Sequence, residues 1–150
     1  MREHVIFTPQ GRIAYIQQIP GNRHDVQGLY ALLKTSFEGH LLGDSAYWPN
    51  KKKRPRLEKK NIRVTAASHS NWKSQHPASV VKFLRKHRDG VERRIGLLDK
   101  QFHADRTLCR SAKHYHARRW TKALTHNASR HINADLNLPM DSVAHFTRVA

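Results

Sequence analysis

Acidic residues are scarce: 11 Asp and Glu stand against 28 Lys and Arg in 150 residues, a formal net charge of +17 with the 12 histidines counted as neutral. An imbalance of that size says nothing about fold. It points to a polyanionic partner, most often nucleic acid, with surplus charge for solubility as the plainer account. Cysteine is nearly absent, and the single Cys109 rules out an intramolecular disulfide. A reducing compartment is the simpler expectation. The opening Met1-Arg2-Glu3-His4 has no apolar signal core, and no apolar run approaches membrane-spanning length. The expectation is a soluble cytoplasmic protein with no membrane partner, long enough for one domain with a real core.

The apolar pattern divides the rest of the chain into elements. Val5-Ile6-Phe7, the turn chemistry of Thr8-Pro9-Gln10-Gly11 and the alternation from Arg12 to Ile19 predict a hairpin. A strand opening at residue 5 would be an unprotected edge unless something pairs with it. Asp25 reads as the N-cap of a helix with Val26, Leu29, Tyr30, Leu33 and Phe37 on one face. A strand follows at 40–44. Its Leu41-Leu42 pair fits burial on both faces, and Gly43 permits close approach of another backbone or a ligand. Asp44 falls at the strand's carboxyl end, the edge where open α/β sheets place ligands. An Asp at such a junction equally caps the segment that follows.

From 51 to 60 the composition shifts, with Lys51, Lys52, Lys53, Arg54, Arg56, Lys59 and Lys60 in ten residues. Pro55 suits the start of a short helix at 55–60. A solvated loop and a phosphate-binding surface both fit this run. Ile62 to Ala66 reads as a strand, and residues 67–78 as a loop whose Trp72 is either a tucked anchor or a stacking ring. Ser79 reads as the N-cap of a long helix to about Phe102, striped by Val80, Leu84, Val91, Ile95, Leu98 and Phe102. Arg88 and Glu92 lie one turn apart on a neighbouring stripe, where a weak surface ion pair is the plain alternative. Gly90 weakens this helix unless packing requires it. A further helix is expected from about Ser111 to His131, with Trp120, Leu124, Ala128 and His131 apolar-facing and Lys113, Arg118, Arg119, Lys122 and Arg130 cationic. Residues 136–150 carry no clear signal.

A strand-end Asp and a helix-borne Glu can converge on one divalent cation, and hard carboxylate oxygens suit magnesium or manganese. Paired ions of that kind promote phosphodiester cleavage. Three stretches make this pattern specific. They are Gly11-Arg12-Ile13 through Pro20-Gly21-Asn22-Arg23-His24-Asp25-Val26, then Leu41-Leu42-Gly43-Asp44-Ser45-Ala46-Tyr47, then Arg88-Asp89-Gly90-Val91-Glu92. In order and spacing the chain resembles the DDE transposases of bacterial insertion sequences over roughly residues 5–138. Arg106 to Arg110 and Leu124-Thr125-His126-Asn127 are similar to that family's closing helical region.

The resemblance implies an α/β fold, a ribonuclease H-like mixed sheet flanked by helices and truncated at its N-terminal strand. It implies a partial catalytic domain over 1–138 and a tail over 139–150. It implies DNA as the partner, DNA transposition as the function, and Mg2+ or Mn2+ bound by Asp44 and Glu92 as catalytic residues. Arg88 would orient Glu92 or contact DNA. Lys51, Lys52, Lys53, Arg54, Arg56, Lys100, Arg118 and Arg119 are the other expected DNA contacts. Lys100 stands one residue later than the family's usual spacing, with Asp99 in the expected place, and Arg85 stands where an aromatic residue is expected. The family's first catalytic Asp lies on a strand before the hairpin, and neither Glu3 nor Asp25 replaces it. The expectation is therefore the carboxy-terminal part of a transposase, inactive alone, from a degraded copy or the second frame of a frameshifting element. The missing amino-terminal part would be a further partner. The alternative is a small basic nucleic-acid-binding protein without catalysis. A zinc site at His114, His116, His126 and His131 is the weakest reading, because no zinc-binding pattern matches.

Overall fold

The computed structural model describes residues 2–69, 71, 75–103, 109 and 111–141. They form a mixed α/β arrangement. In order come strands β1 (Arg2–Phe7) and β2 (Ile13–Ile19), helix α1 (Val26–Ala31), strand β3 (Gly39–Gly43), helix α2 (Arg54–Lys59), strand β4 (Ile62–Ala66), and the long helices α3 (Ala78–Phe102) and α4 (Ala112–Asp135). Short 3-10 turns cover Leu32–Lys34 and Ser45–Tyr47. Among the described residues the strands make two two-stranded sheets, β1–β2 and β3–β4. The chain divides into two compact units, one of Met1–His4 and Gln17–Val91, the other of Val5–Ile16 and Glu92–Ala150.

In the first unit β3 and β4 run parallel, with His40 beside Arg63, Leu41 beside Val64 and Leu42 beside Thr65. The crossover between them carries α2, as a parallel pair requires. Period-2 alternation then sorts the side chains. Ile62 and Ala66 are buried, whereas His40 and Arg63 are exposed and Leu42 is 37% exposed. The expected burial of both faces is thus corrected: the polar neighbours His40 and Arg63 share Leu42's face and keep it open. Leu29, Leu32 and Leu57 are also buried in this unit. α1 is shorter than its apolar stripe, because the backbone tightens into the 3-10 turn at Leu32 and leaves Phe37 beyond it. Lys60 Nζ donates to the carbonyls of Leu32, Leu33 and Thr35, a cation on the negative end of this helical segment. Lys60 therefore belongs to the fold, unlike its exposed neighbours in the basic run.

In the second unit Ile13, Ile16, Leu98 and Ala123 form the core, with Val5, Phe7, Phe102 and Trp120 packed against it. Four expectations need correction. β1 opens at Arg2, not at residue 5. Asp25 occupies the N-cap position without a side-chain cap, because its carboxylate pairs with Arg2 at 2.9 Å. α3 begins at Ala78, which places Ser79 inside its first turn. Gly90 has no packing reason among the described residues, since a Cβ there would meet none of them within 4 Å.

The apolar stripes also shift. Ile95 on α3 is 42% exposed, and on α4 Leu124 is 65% exposed while Ala128 and His131 are not part of its buried face. That buried face is instead Ala123, His126, Ser129, Arg130 and Asn133. Ser111 does cap α4, accepting from His114 N at 3.2 Å. Trp72, Arg106, Arg110 and residues 142–150 lie outside the described residues.

Candidate functional site

Asp44 follows the last residue of β3 and opens the 3-10 turn at Ser45–Tyr47. Its Oδ1 accepts from Ala46 N at 3.0 Å, and its carbonyl accepts from Tyr47 N at 3.2 Å. The capping account of this residue is therefore observed. It does not exhaust the side chain, which is exposed, and an ionised carboxylate has about four acceptor sites. Strand-end placement and capping coexist: the cap holds the carboxylate at the edge of the parallel pair.

Tyr47 leads back to the hairpin. Its hydroxyl lies 2.5 Å from His4 Nδ1, and the two rings meet edge to face with centroids 5.5 Å apart. Burial, with Asp25 and Asp44 nearby, pushes the phenol up to about 12. Burial lowers His4 from its ordinary 6.5, against the opposing pull of Asp25, so the contact joins two neutral groups. His4 is only 7% exposed. Nothing in the hydrophobic pattern marked it, because a lone His between Glu3 and Val5 reads as ordinary strand polarity.

Glu92 and Arg88 are exposed on α3. Asp44 lies in the first unit and Glu92 in the second. No group of three His, Cys, Asp or Glu able to hold a metal occurs among the described residues.

The basic residues fall in both units. Lys51, Lys52, Arg54 and Arg56 are exposed at α2 and the turn before it. Lys53 holds its ammonium 5.7 Å from the centre of the Tyr30 ring, and Arg54 Nε is 3.4 Å from Glu58. Beside α2 lies a cleft of about 800 Å³ lined by His40, Arg54, Glu58, Asn61, Arg63 and Thr65, among others. In the second unit Lys100 and Arg118 are exposed and Arg119 is half-buried.

Polar residues of α4 hold the hairpin turn. Asn127 Oδ1 accepts from Ile13 N at 2.7 Å, and its Nδ2 donates to Ile13 O at 2.9 Å. His126 Nε2 donates to Gly11 O at 3.1 Å. Arg130 donates to Gln10 O at 2.6 Å and pairs with Asp141. From α3, Arg94 donates to Pro9 O at 3.2 Å. Gly11 has φ +84, and a Cβ there would lie 2.8 Å from both Arg130 and Arg94. His126 is thus a structural donor, which accounts for it without zinc. Burial lowers its pKa, partly offset by the bond to Gly11.

No helix among the described residues is long and apolar enough to cross a membrane. No curated protein and no solved structure matches the chain. A family model described as the transposase DDE domain matches residues 1–128, a stretch that includes Asp44, Tyr47, Glu92 and the α4 residues His126 and Asn127. The chain belongs to the transposase DDE domain family, and its role is in DNA transposition.

Proposed function

We propose that this chain is a portion of a transposase catalytic domain over residues 1–138, with residues 139–150 as a tail, that binds DNA but does not cleave it alone. The observation that carries the reading is Asp44, at the carboxyl end of a strand in a parallel pair and inside the stretch matched by the family. In this reading β1–β2 and β3–β4 are strand pairs of one ribonuclease H-like mixed sheet flanked by helices. Asp44 and Glu92 supply two of the family's three carboxylates, and a separate amino-terminal segment is the partner that supplies the third.

Asp44 and Glu92 are each exposed carboxylates, hard oxygen donors of the kind that suit Mg2+ or Mn2+. Two carboxylates leave most of an octahedral shell to water and substrate, so the chain alone holds such an ion weakly. When bound, the ions supply activation of the attacking oxygen and stabilisation of the leaving oxygen in phosphodiester cleavage. The chain's own residues bind and orient. Lys51, Lys52, Lys53, Arg54 and Arg56 neutralise backbone phosphates, as do Lys100, Arg118 and Arg119. Arg88 orients Glu92 or contacts DNA.

The cap at Asp44 favours a second reading, a basic nucleic-acid-binding protein in which Asp44 is only a turn residue. Asp44→Asn separates the two in a Mn2+ titration: Asn also caps well but lacks the charge that a hard cation requires, so the first reading expects weaker Mn2+ binding by the variant and the second no difference. The test is a DNA binding and cleavage assay with the purified chain in Mg2+ or Mn2+. Binding without cleavage is expected. Metal-dependent cleavage by the wild-type chain that Asp44→Asn abolishes would overturn the proposed inactivity while upholding the site.

A further inference from the structure

We propose that His4 is a positioning residue for Asp44, acting through Tyr47. The proposal rests on the reading of Asp44 as a metal ligand, and its geometry lies wholly within the first unit. Tyr47 closes the 3-10 turn that Asp44 opens: its amide donates to the Asp44 carbonyl at 3.2 Å. The side chain packs back against the strand end, where a Cβ on Gly43 would lie 3.2 Å from Tyr47 Cβ. Its hydroxyl is held by His4 at 2.5 Å, across 43 residues of sequence. The contact ties β1 to the turn carrying the carboxylate.

Two observations mark His4 as more than core filling. Its Nε2 is buried with no hydrogen-bond partner among the described residues. A buried unmet polar group is destabilising, a cost that an apolar ring at this place would avoid. The second is Gly28, inside α1, where a Cβ would lie 2.5 Å from His4 Cδ2. A glycine within a helix is less favourable than alanine, and here it makes room for the imidazole. Both costs are borne at one place, and what the imidazole gains there is a hydrogen bond with the Tyr47 hydroxyl. Tyr47 cannot swing away while that bond holds, so the turn and the Asp44 carboxylate keep one orientation.

The test is Mn2+ titration of the full chain followed by NMR line broadening of the amides of residues 43–47, below the melting temperature of every variant. Tyr47→Phe keeps the ring and removes the hydroxyl. His4→Phe keeps a ring, removes the nitrogen bonded to Tyr47 and also removes the unmet Nε2. Each is expected to require about 10-fold more Mn2+ for the same broadening, the lower end of the effect of groups that orient a metal ligand. The double variant is expected to be no weaker than either single one. A residue with only a structural role would move stability and leave the Mn2+ midpoint alone. Unchanged midpoints in both single variants, with broadening in the wild type, would overturn this proposal and leave the metal reading standing. No broadening at residues 43–47 in the wild type would overturn both.

Discussion

Asn127 hydrogen-bonds the backbone of Ile13 as a neighbouring strand would, giving an acceptor to its N–H and a donor to its carbonyl. Asn127→Ala leaves both groups without those partners beside the Ile13 core. A loss of about 2–4 kcal/mol is expected from two unmet backbone groups, read as a lower midpoint in denaturant unfolding. Asn127→Asp is expected to be destabilising too, because it replaces the donor with a second oxygen facing a carbonyl. A change under about 0.5 kcal/mol, as at an ordinary surface site, would contradict this role.

Histidine chemistry is a second matter of single residues. Burial lowers the pKa of both His4 and His126 below 6.5 in the folded chain, so below that pH the unfolded chain binds more protons. Their contribution is present above about pH 6.5 and is lost as pH falls toward the folded values. The thermal midpoint is expected to drop between about pH 7.5 and 5.5. His126→Gln, whose amide retains a donor toward Gly11, is expected to drop less steeply. An equal slope would contradict the assignment to His126. Neither histidine was legible in the sequence as a buried group, since periodicity registers apolar side chains and is silent on a polar one with a partner.

At the scale of elements, β4 was legible over its full length, and β2, β3 and α3 to within a residue or two, because alternation or a long stripe marked each. α4 was legible as a helix but only partly in its orientation. Trp120 packs against the core as its stripe suggested, whereas Leu124 and Ala128 are exposed and the side turned inward carries His126, Arg130 and Asn133. His126 and Arg130 hydrogen-bond the hairpin turn from that side. The Asp44 turn was half legible: strand end and cap were both foreseen, but His4, far earlier in the chain, was not. α3 offers an element-scale test. A Cβ at Gly90 would meet none of the described residues within 4 Å, so Gly90→Ala is expected to stabilise the chain by about 0.5–1 kcal/mol. Thermal or denaturant unfolding checks it, and a lower stability would mean that Gly90 serves a need other than helix formation.

For the molecule as a whole, charge and family point to the same partner. A chain of net charge +17 in the transposase DDE domain family is expected to bind DNA with affinity that falls steeply with salt. Neutralising about six to ten phosphates would make binding weaker by about 10³–10⁵ at roughly 200 mM salt than at roughly 50 mM. Neutral replacements at Lys51, Lys52, Lys53, Arg54 and Arg56 are expected to flatten the plot of log affinity against log salt, by about 0.9 for each phosphate no longer neutralised. An unchanged slope would remove α2 and the turn before it from the DNA surface.

The central proposal is that Asp44 holds a divalent ion at the end of β3, and its most direct test is Mn2+ line broadening of the full chain. Amides around Asp44 are expected to broaden as Mn2+ is added, and Asp44→Asn is expected to need more Mn2+ for the same broadening. No broadening at these amides, or broadening that persists unchanged in Asp44→Asn, would contradict it.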